Sequence, residues 1–370
     1  MAKEEMDRIK ALMISRSTLY SSPGGDTIQI NETANFLRKV NISVDIKLTN
    51  EKIDYDQYDI IHFFNIIRPN DILYHLKRSN KPFVVSTIYV DYHEYERKNR
   101  GGIIGLLTRV FSSDHIEYLK TIARAVLNNE KIYDWEYIFK GHKKSIKHII
   151  RKSSMLLPNS RSEMNRITES YGLKANYKVV PNAINPLLFR KLKVQETNHE
   201  RSGVICVGRI EGRKNQLNLI RALNNTDYDL YIIGNPSPNT VNYYERCKKE
   251  AKENVVFVDH IDQNELIQYY KKSKVHILPS WFETTGLTSL EAGYLGCKIV
   301  VTEKGDTKEY FKDFAYYCEP DNIDSIRNAV SLAYNDKNNN KFAKYVEENY
   351  TWQKTAEVTK KAYIESITKN

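Results

Sequence analysis

The sequence has few cysteines and no long apolar run, and both deficits narrow the classes of protein to consider. Its four cysteines show no C-x-x-C spacing and no histidine pattern beside them, which argues against a disulfide framework and a zinc site. We expect them to be packing residues in a reducing compartment, so the expected location is cytoplasmic. No signal-peptide pattern is present, and the apolar runs are far shorter than the roughly 20 residues of a membrane helix.

Internal repeats, helix-turn-helix patterns and ribonucleoprotein-type aromatic motifs are also missing. The one low-complexity tract is the short NDKNNNK at 335–341, which is typical of a surface loop. These absences disfavour nucleic acid as the partner.

The chain alternates apolar strand patterns with helical patterns from end to end, which predicts an α/β fold with parallel sheets. Its 370 residues and 41% apolar content exceed one ordinary core. We predict two doubly wound, Rossmann-like domains, one over 1–190 and one over 201–349, with the polar stretch Lys191 to Arg201 as linker. Ligands of such sheets bind at the carboxyl ends of the strands.

Positive charge is concentrated in the first half of the chain. Residues 1–190 hold 30 Lys+Arg and 21 Asp+Glu, whereas residues 191–370 hold 26 and 25. The densest part is KKSIKHIIRK, where Lys143, Lys147 and Arg151 have helical spacing. An anionic membrane surface would suit this face, although a solvated basic helix is the alternative.

The most informative segment is PSWFETTGLTSLEAGYLGCKIVV, from Pro279 to Val301. An apolar strand precedes it and a helical pattern follows, so Gly286 lies where a loop enters a helix. Free amides and the positive dipole end of such a helix attract phosphate. Glu283 in the loop and Glu291 in the helix then supply two carboxylates for hydroxyl groups. The alternative is a plain helix start with a capping Glu283 and a solvated Glu291.

This segment resembles the E-x7-E signature of the retaining GT-B glycosyltransferases of family four, the glycosyl transferases group 1. The resemblance implies two Rossmann-like domains facing each other across a cleft. It also implies that Glu291 holds the ribose of a nucleotide-sugar donor and Glu283 orients the sugar. The amides of Thr285, Gly286 and Leu287 then hold the diphosphate.

Two further segments match the same family. G-R-I-E-G-R-K, after a predicted strand, resembles the segment whose cations bind the donor diphosphate, which assigns that role to Arg209 and Lys214. Such cations stabilise the leaving phosphate without a metal, and we expect no metal or other cofactor, with a UDP- or GDP-sugar as substrate. The turn containing Gly24 and Gly25 resembles the P-G-G loop that approaches the donor phosphates and sugar from the opposite domain.

Other positions depart from the family pattern. The segment from Val179 to Asn185 has Ala183 in place of the usual glycine and Asn185 in place of the usual acid, so we treat it as architectural. After the strand FVVST, where many relatives carry histidine, this chain has Tyr89, Asp91 and His93. We nominate Asp91, the nearest carboxylate, as catalytic. The alternative is that all three shape the acceptor entrance.

The function implied is a hexosyltransferase-type enzyme that passes a sugar to a glycan or lipid-linked acceptor, as in capsule, O-antigen or teichoic-acid assembly. Residues 101–140 contain GGIIGLL, Val110, Phe111 and IYDWEYIF, which indicates either a membrane-facing flap or a covered helix pair. In this fold, a terminal helix at about 350–370 packs back on the first domain. An epimerase or a non-catalytic sugar-nucleotide-binding protein would share the fold, and a phosphorylase is disfavoured by length.

Overall fold

A computed structural model describes residues 8–99, 113–127, 131–191, 200–338 and 341–369. The chain forms two compact units, the first comprising Met1–Asn182 with Trp352–Asn370 and the second Ala183–Thr351. Among the described residues, no helix combines the length and the apolar character needed to cross a bilayer.

The first unit is built on a five-stranded parallel sheet with strand order β2-β1-β3-β4-β5. Its strands are β1 (Lys10–Ser15), β2 (Ser43–Leu48), β3 (Ile60–Phe64), β4 (Phe83–Ser86) and β5 (Met155–Leu157). Its helices are α1 (Gly25–Lys39), α2 (Pro69–Leu76), α3 (His93–Asn99), α4 (Ser113–Leu127), α5 (Trp135–Lys152), α6 (Arg161–Tyr171) and α15 (Trp352–Thr368). Strands β3, β4 and β5 are buried along their whole length, as expected for a parallel sheet covered on both faces.

The terminal helix α15 belongs to the first unit, where it packs on α1 and contacts β3, β4 and β5. Its buried Tyr363 hydroxyl lies 2.8 Å from Nδ1 of His62. On the other side of the ring, Nε2 of His62 lies 2.9 Å from Oγ of Ser86. Burial lowers the pKa of His62 to about 3, so the imidazole is neutral and serves as a hydrogen-bonding link between α15 and the sheet.

The second unit contains a six-stranded parallel sheet with order β11-β10-β9-β6-β7-β8. Its strands are β6 (Val204–Val207), β7 (Leu230–Ile233), β8 (Val255–Val258), β9 (Val275–Leu278), β10 (Lys298–Thr302) and β11 (Ala315–Cys318). Its helices are α7 (Pro186–Lys191), α8 (Gln216–Leu223), α9 (Val241–Glu250), α10 (Gln263–Lys272), α11 (Leu287–Tyr294), α12 (Thr307–Phe311), α13 (Ile323–Asn335) and α14 (Phe342–Asn349). The order places β6 and β9 side by side at the centre of the sheet.

Two patterns in the sequence favour elements that the structure does not form. The apolar pair Val179 and Val180 favours the start of a strand, but the segment makes an isolated bridge from Tyr177 to Leu156, and a proline follows Val180. The sequence from Phe342 to Asn370 favours one continuous helix, but α14 ends at Asn349 and α15 begins separately at Trp352.

Strand β11 was not predicted, because AYYC has no clear apolar alternation. The predicted linker at 191–201 and the apolar GGIIGLL, Val110 and Phe111 lie largely or wholly outside the described residues.

Candidate functional site

The loop after β9 holds one glutamate of the E-x7-E pair in a closed environment. Glu283 is 9% exposed. Its Oε2 accepts a hydrogen bond of 2.6 Å from Nζ of Lys214 and one of 3.1 Å from Oγ of Ser280. The backbone N–H of Trp281 donates to the carbonyl oxygen of Arg213 at 2.9 Å, which joins this loop to the loop after β6. The structure therefore brings together Glu283 and Lys214, two residues predicted from separate motifs.

The backbone of Glu283 is fixed by the loop that follows β10. Its N–H donates to the carbonyl oxygen of Lys304 at 3.1 Å, and its carbonyl oxygen accepts from Asp306 at 2.9 Å. Between them lies Gly305, whose φ of 99° suits glycine. A Cβ at Gly305 would stand 2.1 Å from the carbonyl oxygen of Glu283, so only glycine permits this approach. Sequence reasoning missed Gly305, because it lies three residues after β10 and in none of the motifs.

Helix α11 begins as the sequence indicated. Gly286 is its N-cap in the left-handed conformation, with φ of 72° and ψ of 61°. The carbonyl oxygen of Gly286 accepts the N–H groups of Ser289 and Leu290, at 2.9 and 3.0 Å. The first amides of the helix, including that of Leu287, precede these hydrogen bonds and form the positive end of the helix dipole. Thr285, which directly precedes this N-cap, is 2% exposed.

The second glutamate of the pair, Glu291, is half-buried on α11. Burial raises the pKa of Glu291 to about 7, opposed by a hydrogen bond with Gln263 at the start of α10. Its charge also raises the pKa of buried Tyr270, after the larger effect of burial on that phenol. The carboxyl group of Glu291 can therefore gain or lose a proton near neutral pH. Its two oxygens could accept hydrogen bonds from a pair of neighbouring hydroxyl groups.

The loop after β6 carries the predicted cations. Arg209 lies at its start, and its carbonyl oxygen accepts from Nε2 of Gln216 at 2.9 Å. Lys214 ends a short 3₁₀ turn, which is followed by Asn215 in the left-handed conformation with φ of 64°. The side-chain amide of Asn215 donates to the carbonyl oxygens of Pro279 and Pro320, at 3.1 and 2.6 Å. Asn215 therefore fastens this loop to the one that carries Glu283, a role that sequence reasoning missed.

In the first unit, Gly24 is the N-cap of α1 and Gly25 is the first residue of that helix. The N–H of Gly24 donates to Oγ1 of Thr27 at 3.0 Å, which caps the helix. A Cβ at Gly25 would meet no protein atom within 4 Å, so the packing of the unit does not require a glycine there. The role of this loop at the donor phosphates stays a prediction.

Tyr89, Asp91 and His93, the three candidates in the loop after β4, have different environments. Asp91 is exposed, and its Oδ1 accepts the N–H of His93 at 2.9 Å, where α3 begins. The hydroxyl of Tyr89 donates to Oγ of Ser170 at 3.0 Å. Nδ1 of His93 is buried without a hydrogen-bond partner in the described part of the chain. The structure thus gives Asp91 a helix-capping contact, and its catalytic role stays a prediction.

A buried carboxylate that sequence reasoning missed organises this edge of the first sheet. Glu163, fully buried on α6, accepts from Oγ1 of Thr87 at 2.5 Å and from the N–H of Tyr89 at 2.6 Å. Its other oxygen accepts the N–H of Asn159 at 2.6 Å. Ile88 lies between the first two donors with a φ of 44°, which is strained for a β-branched residue. Glu163 therefore holds the loop after β4 in a costly conformation.

The described residues contain no group of three or more histidine, cysteine, aspartate or glutamate side chains placed to hold a metal ion.

Comparisons with known proteins agree with this fold. The structure resembles that of sucrose-phosphate synthase from Thermosynechococcus elongatus with a TM-score of 0.74 and 14% identity, covering 98% of this chain and 100% of that one. It resembles HepE of Anabaena, in complex with UDP and glucose, with a TM-score of 0.65 and 14% identity, covering 95% and 98%. The fold is therefore that of GT-B glycosyltransferases, with two Rossmann-like domains, as predicted.

Residues 189–351 match the family described as Glycosyl transferases group 1. Residues 189–351 therefore form a domain of this group, which confirms the family predicted from Glu283 and Glu291. One curated relative, "Uncharacterized 41.2 kDa protein in cps region" of Klebsiella pneumoniae, is 25% identical over 174 residues. That match covers 45% of this chain and 47% of the relative, so the chain spans about half the length of the curated relatives it matches.

Proposed function

We propose that the protein is a retaining glycosyltransferase that moves a sugar from a nucleoside-diphosphate sugar to a saccharide or lipid-linked saccharide. The observation that carries the proposal is the pairing of Lys214 with Glu283, 2.6 Å apart, in the loop that leads into helix α11. A cation, an immobilised carboxylate and a helix N-terminus on neighbouring loops match the needs of a sugar diphosphate. The cation and amides attract the phosphates, and the carboxylate accepts hydrogen bonds from sugar hydroxyls.

In the proposed reaction, the bond between the anomeric carbon and the diphosphate oxygen breaks while a bond to the acceptor oxygen forms on the same face. The acceptor proton passes to the leaving phosphate oxygen. Arg209, Lys214 and the amide of Gly286 stabilise the negative charge that grows on the phosphate. The reaction therefore needs no metal ion, and chelation of divalent cations should leave the rate unchanged.

Glu283 is better suited to orient the sugar than to attack it. A nucleophile must approach the anomeric carbon to bonding distance. Oε2 of Glu283 is held by Lys214 and Ser280, and its backbone is fixed on both sides, which limits the movement of the carboxylate. This arrangement supports the front-face route with retention of configuration over a double displacement.

The proposal also names a first donor to test and a pathway. The HepE structures contain UDP, UDP with glucose, and UDP-glucose, which makes UDP-glucose the first donor to test. The relative in the cps region of Klebsiella pneumoniae supports a role in cell-surface polysaccharide assembly. With the positive first half of the chain, we infer a lipid-linked acceptor at the cytoplasmic membrane face.

The test has two stages. UDP- and GDP-sugars are first screened for their effect on the unfolding temperature, because a ligand that binds only the native state raises it. The donor so found is then incubated with and without saccharide acceptors, and the anomeric configuration of the product is read by NMR. Acceptor-dependent transfer with retention supports the proposal. Conversion of the donor sugar without any acceptor would identify an epimerase instead, and binding without turnover would identify a non-catalytic protein.

A further inference from the structure

Two large aromatic side chains stand in solvent at the start of helix α5. Phe139 is 87% exposed and Trp135 is 70% exposed, whereas Trp281 and Trp352 are 4% and 3% exposed. We call Trp135 and Phe139 the aromatic face. Rings that stay in water contribute none of the stabilisation that burial of their apolar area would give.

The orientation of the aromatic face is fixed by the helix itself. Trp135 and Phe139 are four residues apart and so share one side of the helix, while Tyr137 lies on the opposite side. Tyr137 is fully buried, and its hydroxyl lies 3.1 Å from Nδ1 of His142. Asp134 caps the helix by accepting the N–H of Glu136 at 2.8 Å. The unit therefore holds Tyr137 inside and the two other rings outside.

A cationic surface follows the aromatic face directly along the chain. Gly141, with φ of 72° and ψ of 172°, divides α5 into the short segment that carries the rings and a longer basic segment. The exposed cations of the longer segment are Lys143, Lys144, Arg151 and Lys152, and no described residue forms an ion pair with them. We call these four side chains the cationic segment. Its charge is thus available to an external anion.

The two parts of α5 share one positive field. Burial lowers the pKa of His148, the charge of Lys140 lowers it further, and Lys152 and Arg151 add to the effect, with Glu136 opposing. Lys140 belongs to the part before Gly141, and the other two cations belong to the part after it. The aromatic and basic groups therefore lie on one helix, on either side of Gly141.

We propose that the aromatic face and the cationic segment of α5 dock the protein on an anionic lipid bilayer. Trp and Phe side chains partition into the interface between headgroups and acyl chains, and lysine and arginine are attracted to anionic headgroups. Charge complementarity selects this occupant, since the cationic segment follows the rings on the same helix and Glu136 is the single acidic residue of α5. The inference rests on the proposed lipid-linked acceptor for its purpose, because docking would hold the enzyme beside such a substrate.

Vesicle binding tests the proposal without donor or acceptor. The intact protein is mixed with vesicles of phosphatidylcholine, alone or with phosphatidylglycerol, and bound protein is measured by sedimentation and by tryptophan emission. Because Trp281 and Trp352 are buried, a shift of emission to shorter wavelength reports on Trp135. We expect binding and the shift only with phosphatidylglycerol, and both should weaken at high salt.

Variants separate the two contributions. W135A/F139A should lower the partition coefficient by about tenfold or more. K143A/K144A should lower it by about thirtyfold, since two cations near the surface contribute about 1 kcal/mol each. The matched controls are L332A, which removes a 62% exposed leucine in the second unit, and K248A/K249A, which removes the same charge there. Neither control should change binding.

W135F should retain vesicle binding while losing the emission shift. Unchanged partition of a folded W135A/F139A variant, or no binding to anionic vesicles, would overturn the proposal. A dimer in solution that dissociates in W135A/F139A, with no vesicle binding, would assign the aromatic face to a second copy and overturn it too. Failure here leaves sugar transfer in solution intact, and loss of transfer leaves vesicle binding intact, so the two proposals fail separately.

Discussion

The ammonium group of Lys214 lies 2.6 Å from Oε2 of Glu283, although 69 residues separate them in sequence. We assign Lys214 to the donor phosphate and Glu283 to the donor sugar. Their contact therefore links phosphate binding to sugar binding. Each charge also compensates the other in a site where Glu283 is 9% exposed.

Glu283→Gln should lower turnover by about a hundredfold or more while the protein stays folded, because the amide keeps the shape and loses the charge. Lys214→Ala should have a similar effect on turnover through the leaving phosphate. Glu319→Gln is the control, because it also removes one carboxylate charge from an ion pair. Glu319 is exposed, and its Oε2 lies 3.6 Å from Nζ of Lys304. Initial rates with saturating acceptor, together with unfolding temperatures, measure the result. Wild-type turnover in folded Glu283→Gln would remove Glu283 from the reaction.

Gly305→Ala should lower both stability and turnover. The new Cβ would stand 2.1 Å from the carbonyl oxygen of Glu283, so the Glu283 loop must move, at about 1–3 kcal/mol of unfolding free energy. Gly172→Ala is the control, because Gly172 has a φ of 62° but its Cβ would meet no atom within 4 Å. It should cost about 1 kcal/mol and leave turnover unchanged. Denaturant unfolding and initial rates measure the difference, and equal turnover losses in both variants would refute this account of Gly305.

Stability should depend on pH through Glu291. Burial raises the pKa of this carboxyl from 4.5 to about 7, so the folded state binds the proton more tightly than the unfolded state. Its stabilising effect is therefore fully present below about pH 4.5 and lost as pH rises through about 7. Glu291→Gln should flatten this part of the curve of unfolding free energy against pH and stabilise the protein at pH 8, by at most about 3 kcal/mol.

The same carboxyl makes donor binding depend on pH. As a ribose ligand, Glu291 accepts hydrogen bonds best when ionised, so donor affinity should rise with pH through about 7. Glu291→Gln should bind the donor weakly at every pH, as measured by calorimetry. A wild-type affinity that falls as pH rises from 6 to 8 would contradict the assignment.

Glu163→Ala should be strongly destabilising. It removes the acceptor for Thr87, Tyr89 and Asn159 in a fully buried site, which should cost about 3 kcal/mol or more. Glu169→Ala, on the exposed side of the same helix, should change stability by less than about 0.5 kcal/mol. Urea denaturation measures both values. Near-equal effects of the two variants would show that Glu163 does not hold the loop after β4.

The sequence predicted most strands, because parallel strands buried on both faces are short apolar runs such as VHIL and VICV. It also predicted Glu283, Lys214 and Gly286, since each falls in a motif at the end of a strand. Gly305 and Asn215 could not be identified from the sequence, because Gly305 lies against the backbone of Glu283 and the Asn215 side chain bonds to carbonyl oxygens of loops distant in sequence. Such contacts leave no spacing pattern in one chain.

Strand β11 and the end of α14 were missed for a different reason. AYYC has mixed burial and no alternation, and the break before Trp352 carries neither glycine nor proline. Only the packing of α15 in the first unit, with Tyr363 bonded to His62, distinguishes it from a continuation of α14.

The packing of α15 in the first unit also bears on how the chain is made. During synthesis, the strands of the first sheet emerge long before α15 is translated. The hydrogen bond between His62 and Tyr363 can therefore form only after the rest of the first unit has emerged. The second unit, Ala183–Thr351, is contiguous and emerges completely before α15 does. Although domains generally fold in order from the N-terminus, we expect the second unit to complete its native packing on the ribosome before the first.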